Sequence, residues 1–369
     1  MITVAIFGII VVFLAYIAQF RQTHFGLKIS FFLIFLFLAL RYDYGNDYHG
    51  YLRIFLNIDQ TAVDFLKGLW PDRQEWQFGL AGSKTLGPGW LALCALFQPL
   101  GFFAMITVLA LFNCIVYHHF ITKYVPPAYY SLAVFLYVFN PQLMLVQSSA
   151  MRQSVAISIF LISIDYIYKK DLIRYILLIC VAVSFHSTAI LMVPVYLLGL
   201  VNLRISKPIA IGCYSIFLLL FLFADSLTPV INLILGTYVS RYGYYEAGTI
   251  RTGLLVVFYS VFLMLLLLYE KFQNNEISIL YKIAILGIWI TPFALIVMMI
   301  GRVGMYFHPI LIAVYPLILL DIKNVIFKRS LLGMIVFMIL YNYYGFFQSD
   351  TWRIAFSTYQ TIFSSPYIY

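Results

Sequence analysis

Four short segments of this chain combine arginine or histidine with side chains that bind sugars or transfer protons. The densest runs from Arg41 to Tyr51 and contains one arginine, two aspartates, one histidine and four tyrosines. Aromatic rings pack on the apolar faces of pyranoses, and carboxylates accept hydrogen bonds from hydroxyl groups. We therefore take Arg41, Asp43, Tyr48 and Tyr51 as candidate substrate-binding residues. The alternative is an interfacial belt of tyrosines with a local arginine–aspartate pair.

Two further segments place a charged or titratable side chain beside an apolar run. Ala150–Ser154 puts Arg152 and Gln153 at the start of a predicted span, where free backbone N–H groups attract anions. The alternative for Arg152 is a side chain that only reaches the membrane interface. Phe185–Ser187 contains His186, and an imidazole is readily tuned for proton transfer near neutral pH. Taken alone, however, a single histidine in such a segment is more often a structural hydrogen-bonding residue.

The fourth segment, Gly301–Phe307, is predicted to form the outer turn between two spans. Arg302 and Tyr306 are four residues apart and would share one face of a helix. The glycines would let a ligand or another backbone approach closely. An ordinary tight turn with one interfacial arginine explains the segment equally well.

Apolar runs along the whole chain supply the elements that must position these segments. The chain is 63% hydrophobic with a mean hydropathy of +0.95. Because about 20 apolar residues let a helix cross a bilayer, we predict an all-α polytopic integral membrane protein with about 12 transmembrane helices. It would form a single domain over residues 1–369. The predicted spans are 2–20, 29–40, 89–119, 129–146, 152–168, 172–184, 188–201, 208–224, 251–270, 281–300, 303–320 and 331–348.

Two regions do not fit a standard crossing. Residues 173–201 are too many for one crossing and too few for two. We interpret this region as a bent pair of half-length helices near 172–201, with Ser184–Thr188 at the apex. A single tilted span is the alternative, but it would invert the topology of everything after it. The span 29–40 is short, so it must tilt or begin near Phe25.

The lysines indicate the orientation. They cluster in short polar breaks that can all be cytoplasmic, which agrees with the positive-inside rule and leaves most of the +9 net charge on that side. The N-terminus and the segments 41–88, 225–250 and 349–369 are then outside. Eight arginines also fall outside: Arg41, Arg53, Arg73, Arg152, Arg241, Arg251, Arg302 and Arg353. Because charges at span ends are costly and a guanidinium suits phosphate oxygens, we expect an anionic substrate such as a lipid-linked diphosphate.

Composition argues against several other classes. The basic charge follows from the topology and does not indicate a nucleic-acid partner. The four cysteines fall in apolar spans, without the spacing of a zinc site or a disulfide framework.

The four segments, in this order, resemble the EpsG-type branch of the Wzy-like polysaccharide (O-antigen) polymerases. The matching patterns are R-Y-x-x-G-x-D-Y-x-x-Y from Arg41, R-Q-x-x-A from Arg152, F-H-S-x-A from Phe185, R-x-x-x-Y-F from Arg302 and the closing Ser365-Pro366-Tyr367. The resemblance implies a GT-C-like, metal-independent membrane glycosyltransferase of the bacterial inner membrane, with its active site facing the periplasm. Consistent with this, the outer segments contain no DxD-type metal motif.

The implied reaction transfers a growing chain from undecaprenyl diphosphate to a new lipid-linked repeat unit, in polysaccharide or lipopolysaccharide biosynthesis. The implied partners are undecaprenyl-diphosphate-linked repeat units, membrane lipid and a chain-length regulator protein, with no cofactor. Since diphosphate is a good leaving group, catalysis mainly requires positioning and charge stabilisation. We expect Arg152 and Arg302 to bind the diphosphate, with Arg41 or Arg241 assisting.

The acceptor hydroxyl needs a proton acceptor, and Asp47 and His186 are the two catalytic candidates. The sequence does not decide between them. A lipid-linked oligosaccharide flippase is the main alternative function, although a transporter should carry basic residues in the middle of its spans. An O-antigen ligase would differ only in its acceptor, and a membrane acyltransferase would place its histidine deeper in the bilayer.

Overall fold

The computed structural model describes residues 1–21, 24–57, 87–200, 207–223, 254–268, 278–290 and 298–364. Within it the chain forms two compact units. The first unit comprises Met1–Asp165, Ile173–Met192 and Ile339–Tyr369, and the second comprises Tyr166–Leu172 and Val193–Met338. Arg241, the whole predicted loop 225–250 and residues 58–86 of the predicted loop 41–88 lie outside the described residues.

Nearly all described elements are α-helices, because a helix satisfies its own backbone hydrogen bonds in apolar surroundings. The N-terminal half contains α1 (Ile2–Arg21), α2 (Phe25–Ala39), α3 (Tyr48–Leu56), α4 (Pro88–Phe97), α5 (Phe102–Tyr124), α6 (Tyr130–Phe139), α7 (Pro141–Met144), α8 (Val146–Ser149), α9 (Met151–Tyr168) and α10 (Leu172–Phe185). The C-terminal half contains α11 (Leu197–Leu200), α12 (Lys207–Leu222), α13 (Leu254–Leu268), α14 (Ser278–Ile290), α15 (Met298–Asp321), α16 (Val325–Gln348) and α17 (Asp350–Ala355). Short 3-10 helices cover Pro127–Tyr129, Ser187–Tyr196 and Ile362–Ser364, and the two-residue strands β1 (Arg41–Tyr42) and β2 (Gln360–Thr361) pair antiparallel.

Three of the described helices are long and apolar enough to cross a bilayer: α5, residues Ile300–Asp321 of α15, and α16. Residues Pro127–Phe139 and Pro141–Ser149 form a fourth candidate, bent by 74°. α2 begins at Phe25, one of the two solutions expected for the short span 29–40. The chain is therefore a mainly helical protein with helices fit to span a membrane, as predicted. The count of about 12 spans and the GT-C-like arrangement remain predictions.

The bent pair occupies the predicted span 129–146, where no bend was expected. α6 ends at Phe139, and Pro141 opens α7 after Asn140. Proline lacks the N–H that a continuing helix needs, and it moves the preceding residue out of the helical conformation. Asn140 accordingly has φ −92° and ψ 104°, and its side chain accepts a hydrogen bond from the Gln142 N–H at 3.2 Å.

The predicted break near 172–201 is confirmed as far as Met192. α10 ends at Phe185, and a 3-10 helix begins at Ser187, so the break falls at His186. The Tyr175 hydroxyl donates to the Met192 carbonyl at 2.5 Å. At a rise of about 1.5 Å per residue, Tyr175 lies about 15 Å before the end of α10, so the chain must fold back at His186 to bring Met192 within reach.

Two other predicted boundaries are wrong. The span predicted at 89–119 consists of α4 and α5, separated near Gly101, which has φ +87°. The turn predicted at Gly301–Phe307 is helical, because α15 runs without interruption through it. A glycine costs a helix only about 1 kcal/mol, whereas a turn in apolar surroundings leaves several backbone groups unpaired at higher cost.

Candidate functional site

The Arg41–Tyr51 segment is held in place by backbone contacts on two sides. β1 follows α2 almost directly and pairs with β2 in the C-terminal tail. The Gly45 N–H donates to the Ala355 carbonyl at 3.1 Å. On the other side, the Asn46 N–H donates to Ser149 Oγ at 2.8 Å. The segment is therefore fixed between the tail and the end of α8.

Gly45 makes the closest of these approaches. Its φ is +131°, a backbone conformation that residues with a side chain rarely adopt. A Cβ at this position would lie 2.8 Å from the Ser148 carbonyl oxygen. The contact lies just before α9, whose second residue is Arg152. A glycine at this position therefore lets the segment reach the helix start that carries a candidate arginine.

Asp47, Tyr51 and Arg152 come together in the first unit. Asp47 immediately precedes α3, so it lies one helical turn before Tyr51. Burial raises the pKa of the Tyr51 hydroxyl; Arg152, to which the hydroxyl is hydrogen-bonded, opposes the rise, and the nearby Asp47 carboxylate adds to it. Gln153, the next residue along α9, is buried. The structure thus brings a carboxylate, a phenol and a guanidinium into one cluster.

Arg41 is a buried arginine without a carboxylate partner among the residues that the structure describes. It is 3% exposed, its Nη1 donates to the Leu38 carbonyl, and its Nε has no hydrogen-bond partner within the described part of the chain. Burial lowers the pKa of Arg41 to about 10, and the nearby hydroxyls of Tyr48 and Tyr359 oppose this shift. The guanidinium is therefore charged at neutral pH, and a bound anion would offset the cost of burying it.

Tyr48 and Tyr51 each lie near one of the two arginines. Both lie on the buried face of α3. Tyr48 is within electrostatic reach of Arg41, and Tyr51 is within electrostatic reach of Arg152. Burial raises the pKa of both hydroxyls, so both stay neutral at physiological pH and can donate hydrogen bonds. Each predicted substrate-binding tyrosine on α3 therefore lies near one candidate anion-binding arginine.

His186 lies at the apex of the α10 hairpin and is half-buried. Its Nδ1 is 2.7 Å from Thr188 Oγ1, a local bond that fits the structural interpretation of this histidine. Ser184, two residues earlier, packs closely on Gly89 of α4. A Cβ at Gly89 would overlap the Ser184 side chain. The next residue of α4, Trp90, packs on Tyr51 of α3, and the centroids of the two rings are 5.0 Å apart. The apex is therefore linked through α4 to the helix that follows Asp47.

A buried hydrogen-bond network that the sequence analysis missed joins α5, α6, α8 and α9. Asn113 donates to Gln147 Oε1 at 3.1 Å and to Ser154 Oγ at 3.3 Å, and it accepts from Ser158 Oγ at 2.7 Å. Gln147 donates to the Tyr137 hydroxyl at 2.9 Å. Side-chain amides within apolar runs are costly unless they are hydrogen-bonded. Asn113 and Gln147 could therefore have indicated this network from the sequence. The network fixes the start of α9.

Asp43 and His49 pair with each other on the exposed side of the segment. Asp43 Oδ1 is 2.7 Å from His49 Nε2, and the side chains are 45% and 58% exposed. Asp43 also has a left-handed backbone, with φ +46°. In the described part of the chain, no three His, Cys, Asp or Glu side chains are arranged to hold a metal ion.

Arg302 and Tyr306 belong to the second unit, where both lie on α15. Since α15 is continuous, the two residues share a helix face, as predicted, although not at a turn. Tyr306 is fully buried and Arg302 is half-buried. α15 packs tightly on α14, because a Cβ at Gly287 would overlap Phe307.

These helices and side chains define a class: a helical membrane protein in whose first unit an arginine, a tyrosine and a carboxylate lie close together near helix ends. The model of the EpsG family matches residues 24–361, so the chain belongs to the EpsG family, and the resemblance noted in the motifs is confirmed. Comparisons with curated proteins and with solved structures found no match. Membership of this family implies a membrane glycosyltransferase-type enzyme of polysaccharide biosynthesis.

Proposed function

We propose that the protein is a Wzy-like polysaccharide polymerase. It transfers a growing glycan from undecaprenyl diphosphate to a new lipid-linked repeat unit at the periplasmic face of the bacterial inner membrane. The observation that carries this proposal is the buried guanidinium of Arg41, which has no carboxylate partner in the described part of the chain. A diphosphate would supply the missing negative charge through charge-assisted hydrogen bonds.

The reaction exchanges the bond from the anomeric carbon to the diphosphate oxygen for a bond to the acceptor hydroxyl oxygen. Negative charge develops on the departing diphosphate, and Arg41 and Arg152 stabilise it without a metal ion. Buried, neutral Tyr51 donates a hydrogen bond to the same oxygens. Asp47 accepts the proton of the acceptor hydroxyl. We favour Asp47 over His186 because Asp47 lies near Tyr51, which is hydrogen-bonded to Arg152, whereas His186 is bonded to Thr188.

A lipid-linked oligosaccharide flippase is the alternative. Such a transporter must expose basic groups to both sides in turn, and it would place them within its spans. Arg41 instead follows the end of α2, and Arg152 lies in the first turn of α9. Both positions favour a site that opens to one side. An O-antigen ligase could use the same residues with a different acceptor.

Reconstitution tests the proposal directly. Purified protein in liposomes, supplied with an undecaprenyl-diphosphate-linked repeat unit, should produce glycans of many repeats, resolved by gel electrophoresis and mass spectrometry. Arg41→Gln removes the buried charge and should lower the elongation rate about a hundredfold. Arg53→Gln is the matched control, because Arg53 is exposed on α3 and should leave the rate unchanged.

Each contrary outcome has a clear meaning. Movement of the lipid-linked unit across the bilayer without elongation would replace the polymerase by a flippase. Transfer only to a lipid A core acceptor would indicate a ligase. Equal elongation by the Arg41→Gln and Arg53→Gln variants would remove Arg41 from the site.

A further inference from the structure

The C-terminal tail, residues 349–364, is built into the candidate site by backbone pairing. β2 pairs with β1 so that Thr361 lies opposite Arg41. The Ile362 N–H donates to the Leu40 carbonyl at 2.9 Å, which extends the pairing by one residue. Strands this short are not stable on their own, so side chains must hold the tail in register.

Tyr359 provides that side-chain support. Its hydroxyl donates to the Phe37 carbonyl at 2.6 Å, and its ring stacks on the Phe37 ring with centroids 4.3 Å apart. Tyr44, in the middle of the Arg41–Tyr51 segment, contacts the ring of Tyr359 edge-on at 5.2 Å and the ring of Phe356 at 4.9 Å. Tyr44 is 1% exposed, so the tail and the segment share one aromatic core.

Tyr359 also lies near the buried guanidinium of Arg41. The Tyr359 hydroxyl is within electrostatic reach of Arg41, and burial raises its pKa to about 12 while Arg41 opposes the rise. At neutral pH it is therefore an uncharged neighbour of the guanidinium. Arg41 also lies on β1, and among the described residues the only strand that pairs with β1 is β2 in the tail.

We propose that Tyr359 is a positioning residue for the candidate site. Through the tail, it fixes the Arg41–Tyr51 segment so that Arg41 and Asp47 are held in the geometry that the reaction needs. The inference rests on the proposed function and deepens it, because it makes the C-terminal tail a working part of the polymerase site. Without this support β1 loses its partner strand, and the bond from Gly45 to Ala355 is lost with it.

Two substitutions at Tyr359 test the role in graded steps. Tyr359→Phe removes only the hydroxyl bond and should lower the elongation rate about fivefold, the equivalent of one hydrogen bond. Tyr359→Ala also removes the ring stack and should lower it about a hundredfold, because small displacements of catalytic groups are costly. KM for the lipid-linked unit should rise less than kcat falls, since the diphosphate-binding arginine on α9 is untouched.

The matched control is Tyr124→Phe. Tyr124 also donates a hydroxyl bond within the first unit, to Asp165 Oδ1 at 2.7 Å. Asp165 lies about 20 Å along α9 from Arg152, at a rise of about 1.5 Å per residue. This variant should lose a comparable amount of thermal stability and keep its elongation rate, so that a general stability effect is separated from positioning.

A second measurement reads the tail without any activity assay. Brief tryptic digestion is performed in an Arg353→Gln background, which removes an exposed cleavage site in the tail. Cleavage after Arg41, relative to cleavage after exposed Arg53, should be slow in the parent protein because paired β1 cannot enter a protease. It should increase about tenfold or more in Tyr359→Ala, where β1 is released.

The outcomes separate this inference from the proposed function. Elongation by Tyr359→Ala at the rate of Tyr124→Phe, or unchanged protection of Arg41, would overturn the positioning role. If the parent protein elongates no glycan but Tyr359→Ala exposes Arg41 to trypsin, the polymerase proposal fails while the tail still positions the segment.

Discussion

Gly45→Ala tests the closest contact of the candidate site. A Cβ at Gly45 would lie 2.8 Å from the Ser148 carbonyl oxygen, and φ at this position is +131°. A backbone atom cannot rotate away, so the segment must leave α8 and lose the bond from Asn46 to Ser149. Backbone strain costs about 1–3 kcal/mol and the lost hydrogen bond about 1 kcal/mol, so we expect a destabilisation of about 2–4 kcal/mol.

The assay combines thermal unfolding of the detergent-solubilised protein with elongation of a lipid-linked repeat unit. Gly45→Ala should lower Tm by several degrees and lower the elongation rate about a hundredfold, because Asp47 and the adjoining helix move with the segment. Gly50→Ala is the control on the same segment. It lies within α3, and apart from the neighbouring backbone of that helix no atom of the described residues lies within 4 Å of the new methyl group; replacing a helical glycine should stabilise by up to about 1 kcal/mol.

The two alanine variants should therefore shift Tm in opposite directions. Equal Tm values and equal elongation rates in Gly45→Ala and Gly50→Ala would refute the close approach of the segment to α8. A loss of stability with full activity in Gly45→Ala would show that the docking of this segment does not position the reacting groups.

Three further predictions concern the chemistry of the site. Asp47→Asn keeps the shape of the side chain but removes the proton acceptor, so elongation should be abolished while lipid-linked repeats still bind; an active Asp47→Asn with an inactive, stably folded His186→Gln would reverse the two roles. Arg152→Lys should insert normally but yield shorter glycans on a polysaccharide gel, because lysine lacks the planar fork; wild-type chain lengths in this variant would exclude Arg152 from the site. Elongation by the purified enzyme should persist in excess EDTA, and a loss that magnesium or manganese restores would instead assign a cation to the outer carboxylates.

Local features of this protein were predictable from the chain alone. Apolar runs indicated helices because a backbone in apolar surroundings must satisfy its own hydrogen bonds. The same reasoning located Arg152 in the first turn of α9 and the fold-back at His186, both of which the structure contains. It failed at Gly301–Phe307, where glycines indicated a turn but α15 continues, because tolerance of glycine in a packed helix depends on its neighbours.

The composition of the candidate site depended on contacts between distant parts of the chain. Tyr359 reaches Phe37 from 322 residues away, a pairing that no periodicity in either segment encodes. The approach of Asp47 and Arg152 to Tyr51 likewise follows from the docking of one segment on the end of α8. Motifs identify which side chains can do chemistry, but packing between remote elements selects those that meet. The buried guanidinium of Arg41 is conspicuous only in three dimensions, because its lack of a carboxylate partner among the described residues depends on which parts of the chain surround it.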